Sequence, residues 1–208
     1  MIGYYDYTVI LTYVSLASGI FGIYFSFCNN PLVAIWCLLF SGLCDMFDGK
    51  VARSKTNRTI TEKQFGIQLD SLCDVICFGV LPGTIGIAIG MTEWWFIIIN
   101  ALFAICAVIR LAYFNVTEEE RQSTSTSARV FYEGLPVTTS AIIFPFIFCF
   151  LDIFKSAFPY IYAAVLLITA ILYVSPIRIP KPKKLLASLL ILIGIVEFTS
   201  LIILTINK

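Results

Sequence analysis

The chain contains no histidine. That absence excludes Ser–His and Cys–His nucleophile activation and any imidazole-ligated metal, leaving hydroxyls, carboxylates, Lys, Arg and Cys for chemistry. Charge is scarce as well. Only 13% of residues are Asp, Glu, Lys or Arg, against about 25% in a soluble domain. The formal net charge of +1 supplies no field for a polyanion, so nucleic acid is excluded as a partner. The seven cysteines form no CxxC pair, and most lie in apolar runs, as small buried fillers do. Cys73 and Cys77 stand one helical turn apart, but two thiols do not close a metal site. No basic segment precedes the first apolar run and no small-residue cleavage site follows it, so that run reads as a retained helix.

Apolar residues are abundant instead. They make up 59% of the 208 residues, and the mean hydropathy is +0.92. This exceeds what one soluble core holds and points to an all-α integral membrane protein. A bilayer-crossing helix needs about 20 largely apolar residues. Seven stretches qualify, at 8–28, 31–53, 66–90, 93–115, 136–154, 157–175 and 184–206. The turns at 29–31, 91–92 and 152–159 are brief, so neighbouring helices run antiparallel in one bundle, and the whole of 1–208 reads as a single transmembrane domain.

The longer polar segments alternate with these turns and carry the positive charge. The first holds Lys50, Arg53, Lys55, Arg58 and Lys63, the second Arg121 and Arg129, the third Arg178, Lys181, Lys183 and Lys184. The opposite side offers only Lys155 and Lys208. The positive-inside rule places the three basic segments in the cytoplasm of a multi-pass protein in the cell membrane. The Lys181–Lys184 cluster reads as topology and anionic-lipid contact, and the stretch 123–127 as a cytoplasmic loop. Trp94 and Trp95, beside Glu93, read as anchors at the outer boundary.

Carboxylates near a bilayer are costly and mark function. Four aspartates gather at two predicted helix ends. Asp45, Asp48, Gly49 and Ala52 share one face by their i, i+3, i+4, i+7 spacing, and Gly66, Asp70 and Asp74 share another, in the first turns of the third helix. Converging carboxylates repel one another unless divalent cations neutralise them. Oxygen-only ligands select hard ions such as Mg²⁺, Mn²⁺ or Ca²⁺, and a pair of such ions is the usual device for phosphoryl chemistry. Gly49, Ala52 and Gly66 leave room beside the carboxylates for a phosphate ligand, and Arg53 adds a fixed cation.

The run Asp45-x2-Asp48-Gly49-x2-Ala52-Arg53, followed by Gly66-x3-Asp70-x3-Asp74, resembles the signature of the CDP-alcohol phosphatidyltransferase family at every defining position. The spacer 54–65 is longer than that family commonly has, in a loop where insertion is tolerated. The resemblance implies a six-helix core, here with an extra C-terminal helix, and usually a homodimer. It implies two divalent cations, Mg²⁺ or Mn²⁺, on Asp45, Asp48, Asp70 and Asp74. It further implies CDP-diacylglycerol held by Asp48, Gly49, Ala52, Arg53 and Gly66, with Asp74 as the base for the acceptor hydroxyl.

Downstream, Phe78-Gly79-Val80-Leu81-Pro82, Arg110-Leu111-Ala112-Tyr113-Phe114-Asn115, Tyr132-Glu133-Gly134-Leu135-Pro136 and Val174-Ser175 resemble segments of one branch of the family, the bacterial and archaeal phosphatidylserine synthases. Tyr113 replaces an arginine of that branch's pattern. The branch implies L-serine as acceptor. Serine's carboxylate needs a cation, and Arg110, deep in the fourth stretch with Asn115 five residues on, is the candidate acceptor pocket. The alternatives are another acceptor, such as glycerol phosphate or inositol phosphate, or a cation transporter. Against the transporter, the carboxylates sit at one boundary and not at the midplane.

Overall fold

The computed structural model describes residues 3–124 and 131–180, and the isolated positions 194, 199 and 202. A 3₁₀ turn at Tyr7–Val9 leads into α1 (Ile10–Phe27), and α2 follows at Pro31–Ser54. Next, α3 (Ile60–Asp74) passes through a π-helical segment (Val75–Val80) into α4 (Leu81–Ala88). The longest element is α5 (Trp94–Thr124). A three-residue strand β1 (Phe131–Glu133) precedes α6 (Ser140–Phe148), α7 (Leu151–Phe154), α8 (Phe158–Val174) and β2 (Arg178–Pro180). Five helical stretches are long and apolar enough to cross a membrane, and Val137–Phe148 is a shorter apolar one. These six correspond to the first six expected crossings; the seventh, 184–206, lies outside the described residues except at 194, 199 and 202, and the Lys181–Lys184 cluster lies outside them altogether.

The core of the bundle is large and apolar, with Phe78, Phe103, Phe144, Tyr162 and Tyr173 fully buried, whereas the seam between α1 and α2 is built on small and polar residues; many other large apolar side chains face outward, as a protein solvated by lipid requires. The buried residues of α1 are Thr12, Ser15, Ser18, Gly19, Gly22 and Ser26, while Ile20, Phe21, Tyr24 and Phe27 are exposed. The seam against α2 is stitched by hydroxyls: Ser15 Oγ donates to the Ser41 carbonyl (3.3 Å), Ser41 Oγ to the Ser15 carbonyl (3.0 Å) and Ser18 Oγ to the Cys37 carbonyl (2.9 Å). Asn29 closes the turn to α2 at φ 54°, a conformation Asn tolerates, and Pro31 opens α2 with a φ already set for helix.

Three expected boundaries move. The turn expected at 152–159 is helical: α6 already ends at Phe148, and α7 (Leu151–Phe154) runs through a 3₁₀ turn (Lys155–Ala157) into α8. The other two move because polar residues here are good helix formers. The third crossing starts at Ile60, not 66, since Thr59 and Glu62 form a capping box and the polar turn behind them continues the helix. Asp70 and Asp74 therefore lie in the last turns of α3, not its first. The fourth crossing runs past 115 to Thr124, its acidic end tied by an Arg121–Glu118 ion pair at 2.6 Å. The sequence also gave no sign of the antiparallel ribbon pairing Phe131–Glu133 with Arg178–Pro180. The ribbon joins the second basic segment to the third, and Gln64 Nε2 donates to Glu119 (3.2 Å), joining the first to the second. The described parts of the three segments thus gather at one end of the bundle, as alternating crossings demand.

A clamp also forms at that end. Lys55 Nζ bridges Asp6 (2.7 Å) and Glu62 (3.1 Å), tying the N-terminal segment to the start of α3. The Lys55 ammonium, assisted by Thr8, holds the Asp6 carboxyl down to about 2. A depressed carboxylate stabilises above its ordinary value and loses that contribution as pH falls through the lowered one. Lys55→Met should therefore lower the melting temperature at neutral pH, modestly because the pair is half-exposed and screened. The gap to wild type should close as pH drops from 3.8 toward about 2. Melting curves of both proteins across that range provide the check; a gap undiminished in acid would contradict the assignment.

Candidate active site

The four aspartates come from two neighbouring helices. Asp45 and Asp48 stand on α2, and Asp70 and Asp74 on α3. Carboxylate oxygens of Asp45, Asp70 and Asp74 all lie within 4.8 Å of one another. Asp48 is within hydrogen-bonding reach of Asp70. Asp48 and Asp74 are 9% and 7% exposed, so two of the charges have been taken largely out of solvent. An all-oxygen, partly buried set of this kind fits hard divalent cations, which would remove the mutual repulsion.

The π segment begins at the residue after Asp74. Pro82 causes it: without an N–H it leaves the Phe78 carbonyl without its helical donor, and Leu81 N–H reaches back to Ile76 instead. Ser140 Oγ donates to the stranded Phe78 carbonyl (3.1 Å) and accepts a close hydrogen bond from Tyr173 Oη. The widened turn fixes where the helix carrying Asp70 and Asp74 changes register, and such turns recur at functional sites.

Side chains of this same chain use the space beside the small residues. The Arg53 guanidinium folds over Gly49, with Nη1 3.3 Å from where a Cβ would stand. Arg58 covers Gly66, its Nη2 2.7 Å from the corresponding point, and its Nη1 donates to the Ala52 carbonyl at 3.4 Å. In the sequence Arg58 stands out only as one charge of the first basic segment. Its place in the spacer between the two signature blocks was the available signal.

Arg110 and Asn115 do not converge on one ligand-sized point. Five residues apart on a helix, they lie about 140° apart around its axis. Arg110, 5% exposed, donates from Nε to the Leu135 carbonyl (3.2 Å) and from Nη2 to the Gly134 carbonyl (3.5 Å). It thereby positions the turn at Gly134, where φ is +75° and a Cβ would meet the Tyr173 carbonyl at 2.6 Å, so only glycine fits. Asn115 Oδ1 accepts from Ser71 Oγ (2.9 Å) and its Nδ2 donates to Gln68 (3.4 Å), linking α5 to the turn of α3 that carries Asp70. Tyr113, at the position of the branch's arginine, donates to Glu133 at 2.5 Å. Neither Ser71 nor Gln68 was singled out from sequence.

The family model for CDP-alcohol phosphatidyltransferase matches residues 8–175. The chain is 32% identical to a CDP-diacylglycerol–serine O-phosphatidyltransferase of Helicobacter pylori over 95% of its own length and 81% of that protein's. It is 38% identical to the Saccharomyces cerevisiae protein of the same name over 52% of this chain and 39% of that one. It is also 31% identical to an archaetidylserine synthase of Methanothermobacter thermautotrophicus over 79% and 67% respectively.

Proposed function

The chain belongs to the CDP-alcohol phosphatidyltransferase family, and we propose that it transfers the phosphatidyl group of CDP-diacylglycerol to the hydroxyl of L-serine, releasing CMP. The observation that carries this reading is the meeting of Asp45, Asp70 and Asp74 within 4.8 Å, with Asp48 against Asp70. The names of relatives from a bacterium, a yeast and an archaeon favour serine over other acceptors.

Two divalent cations, Mg²⁺ or Mn²⁺, held by Asp45, Asp48, Asp70 and Asp74 would neutralise the donor's pyrophosphate and make its lipid-side phosphorus electrophilic. The residues of the chain do the rest. Arg53, above Gly49, supplies a cation to the donor's phosphates, and Ala52 and Gly66 keep the flanking walls low. An Asp74 carboxylate oxygen takes the proton of the serine hydroxyl as the serine O–P bond forms. The bond from phosphorus to the CMP oxygen breaks, and CMP leaves with the electron pair. Asn115 borders the acceptor side through its contact with Ser71 beside Asp70, while Arg110 acts at one remove by holding the Gly134 turn. The lipid tails remain in the bilayer while the nucleotide and serine arrive from the cytoplasm. By the same family resemblance, the working unit is a homodimer in the cell membrane.

The deciding experiment is CMP release by purified protein offered CDP-diacylglycerol with serine, glycerol phosphate, inositol phosphate or no acceptor. Release that depends on serine supports the reading. Release only with another acceptor rejects serine, and no release with any acceptor rejects the transferase.

Sidedness has its own check. Cys28 is exposed at the turn between α1 and α2, and Asn57 is exposed at the opposite, basic end. An impermeant maleimide should label Cys28 from outside sealed cells, and Asn57→Cys, placed in a background whose native cysteines are replaced by serine, only from the cytoplasmic face of inverted vesicles. Labelling of Asn57→Cys from outside would reverse the assigned orientation.

A further inference from the structure

The carboxylate faces of α2 and α3 continue one helical turn, about 5.4 Å, beyond Asp48 and Asp70 toward the basic end. There Ala52 and Gly66 bound a slot, and the Arg58 guanidinium fills it. Its hydrogen-bond partners are neutral carbonyls: Nη1 donates to Ala52 (3.4 Å) and Nη2 to Glu62 (3.0 Å). The Glu62 carboxylate is taken by Thr59 and Lys55. Among the described residues Arg58 makes no ion pair, and its Nε is buried without a partner. A half-buried guanidinium with its Nε–H buried and unmet and no counter-charge is a site short of an anion. Arg58 belongs to the lengthened spacer, so it is no part of the family signature.

We propose that Arg58 is a substrate-binding residue that holds the nucleotide-side phosphate of the donor, and of the CMP product, at the cytoplasmic edge of the aspartate cluster. This rests on the phosphatidyltransferase reading. Its planar fork presents Nε–H and an Nη–H to two phosphate oxygens, a geometry that lysine does not reproduce. The low walls at Ala52 and Gly66 let the guanidinium lie between the helices and not outside them.

The test is calorimetric binding of CDP, CMP and cytidine to the full-length protein in detergent with Mg²⁺, cytidine being read by competition where it binds weakly. Losing a charge-assisted pair of hydrogen bonds should weaken CDP and CMP by roughly ten- to a hundred-fold in Arg58→Gln and leave cytidine unchanged. Arg58→Lys, which keeps the charge without the fork, should fall between. Lys63→Gln, an exposed neighbour, should match wild type. Unchanged CMP affinity in Arg58→Gln would overturn the assignment. Tighter binding would overturn it too, because it would make Arg58 a plug that nucleotide displaces. Equal losses for CMP and cytidine would reduce Arg58 to a structural strut. Wild-type protein that binds neither CDP nor CMP would defeat the transferase reading along with this one, whereas normal wild-type binding with an indifferent Arg58→Gln defeats this one alone.

Discussion

Asp74→Asn should still bind CDP-diacylglycerol while its transfer to serine falls by about 10²–10⁴, the usual cost of losing a general base. The substitution keeps the size of the side chain and one oxygen that can ligate, but removes the charge and the basicity. Asp45→Asn should fail differently, by losing affinity for the donor, because its proposed work is to hold a cation. Both residues belong to the same group of carboxylates, so geometry alone does not separate their roles, and the contrast between binding and turnover does. Donor affinity and single-turnover transfer, measured for both variants at saturating Mg²⁺, provide the comparison. Full turnover in Asp74→Asn would reject the base assignment. Equal loss of binding in both variants would make Asp74 chiefly a ligand.

Chelation should abolish activity altogether. The site brings Asp45, Asp70 and Asp74 within 4.8 Å of one another, with buried Asp48 beside Asp70, and without counter-charge it repels the donor's pyrophosphate instead of holding it. Excess EDTA should reduce CMP release to the uncatalysed level, and Mg²⁺ or Mn²⁺ should restore it. A second readout is independent of turnover. Cation binding to the folded state alone should raise the melting temperature, by the equivalent of about 2.7 kcal/mol at a hundred times the dissociation constant. Asp45→Asn should blunt that rise. Substantial turnover in chelator, or a melting temperature indifferent to Mg²⁺, would refute the two-cation reading.

Much of this was legible in one dimension. Apolar run length marked the crossings because the bilayer sets the length and the helix sets the rise per residue. The i, i+3, i+4 spacing of Asp45, Asp48 and Gly49, and of Gly66, Asp70 and Asp74, marked the carboxylate faces because helical periodicity is a local property. Boundaries were less legible. Glu62 and Glu118 look like loop residues when hydropathy is the guide, yet one completes a capping box and the other an ion pair within a helix.

The sequence by itself determined that this is a membrane bundle, which of its ends carries the basic segments, and which four carboxylates share faces. Those facts depend only on polarity and period along the chain. The tertiary structure decided what meets across helices. It set Arg58 against Gly66, Arg110 against the Gly134 turn and Asn115 against Ser71, and it let Ser140 answer the carbonyl stranded by Pro82. Local pattern fixes which face of a helix is buried but not the register at which two faces slide together. That register follows from how side-chain volumes and unmet hydrogen-bonding groups fit along the whole contact, with residues dozens of positions apart deciding it jointly.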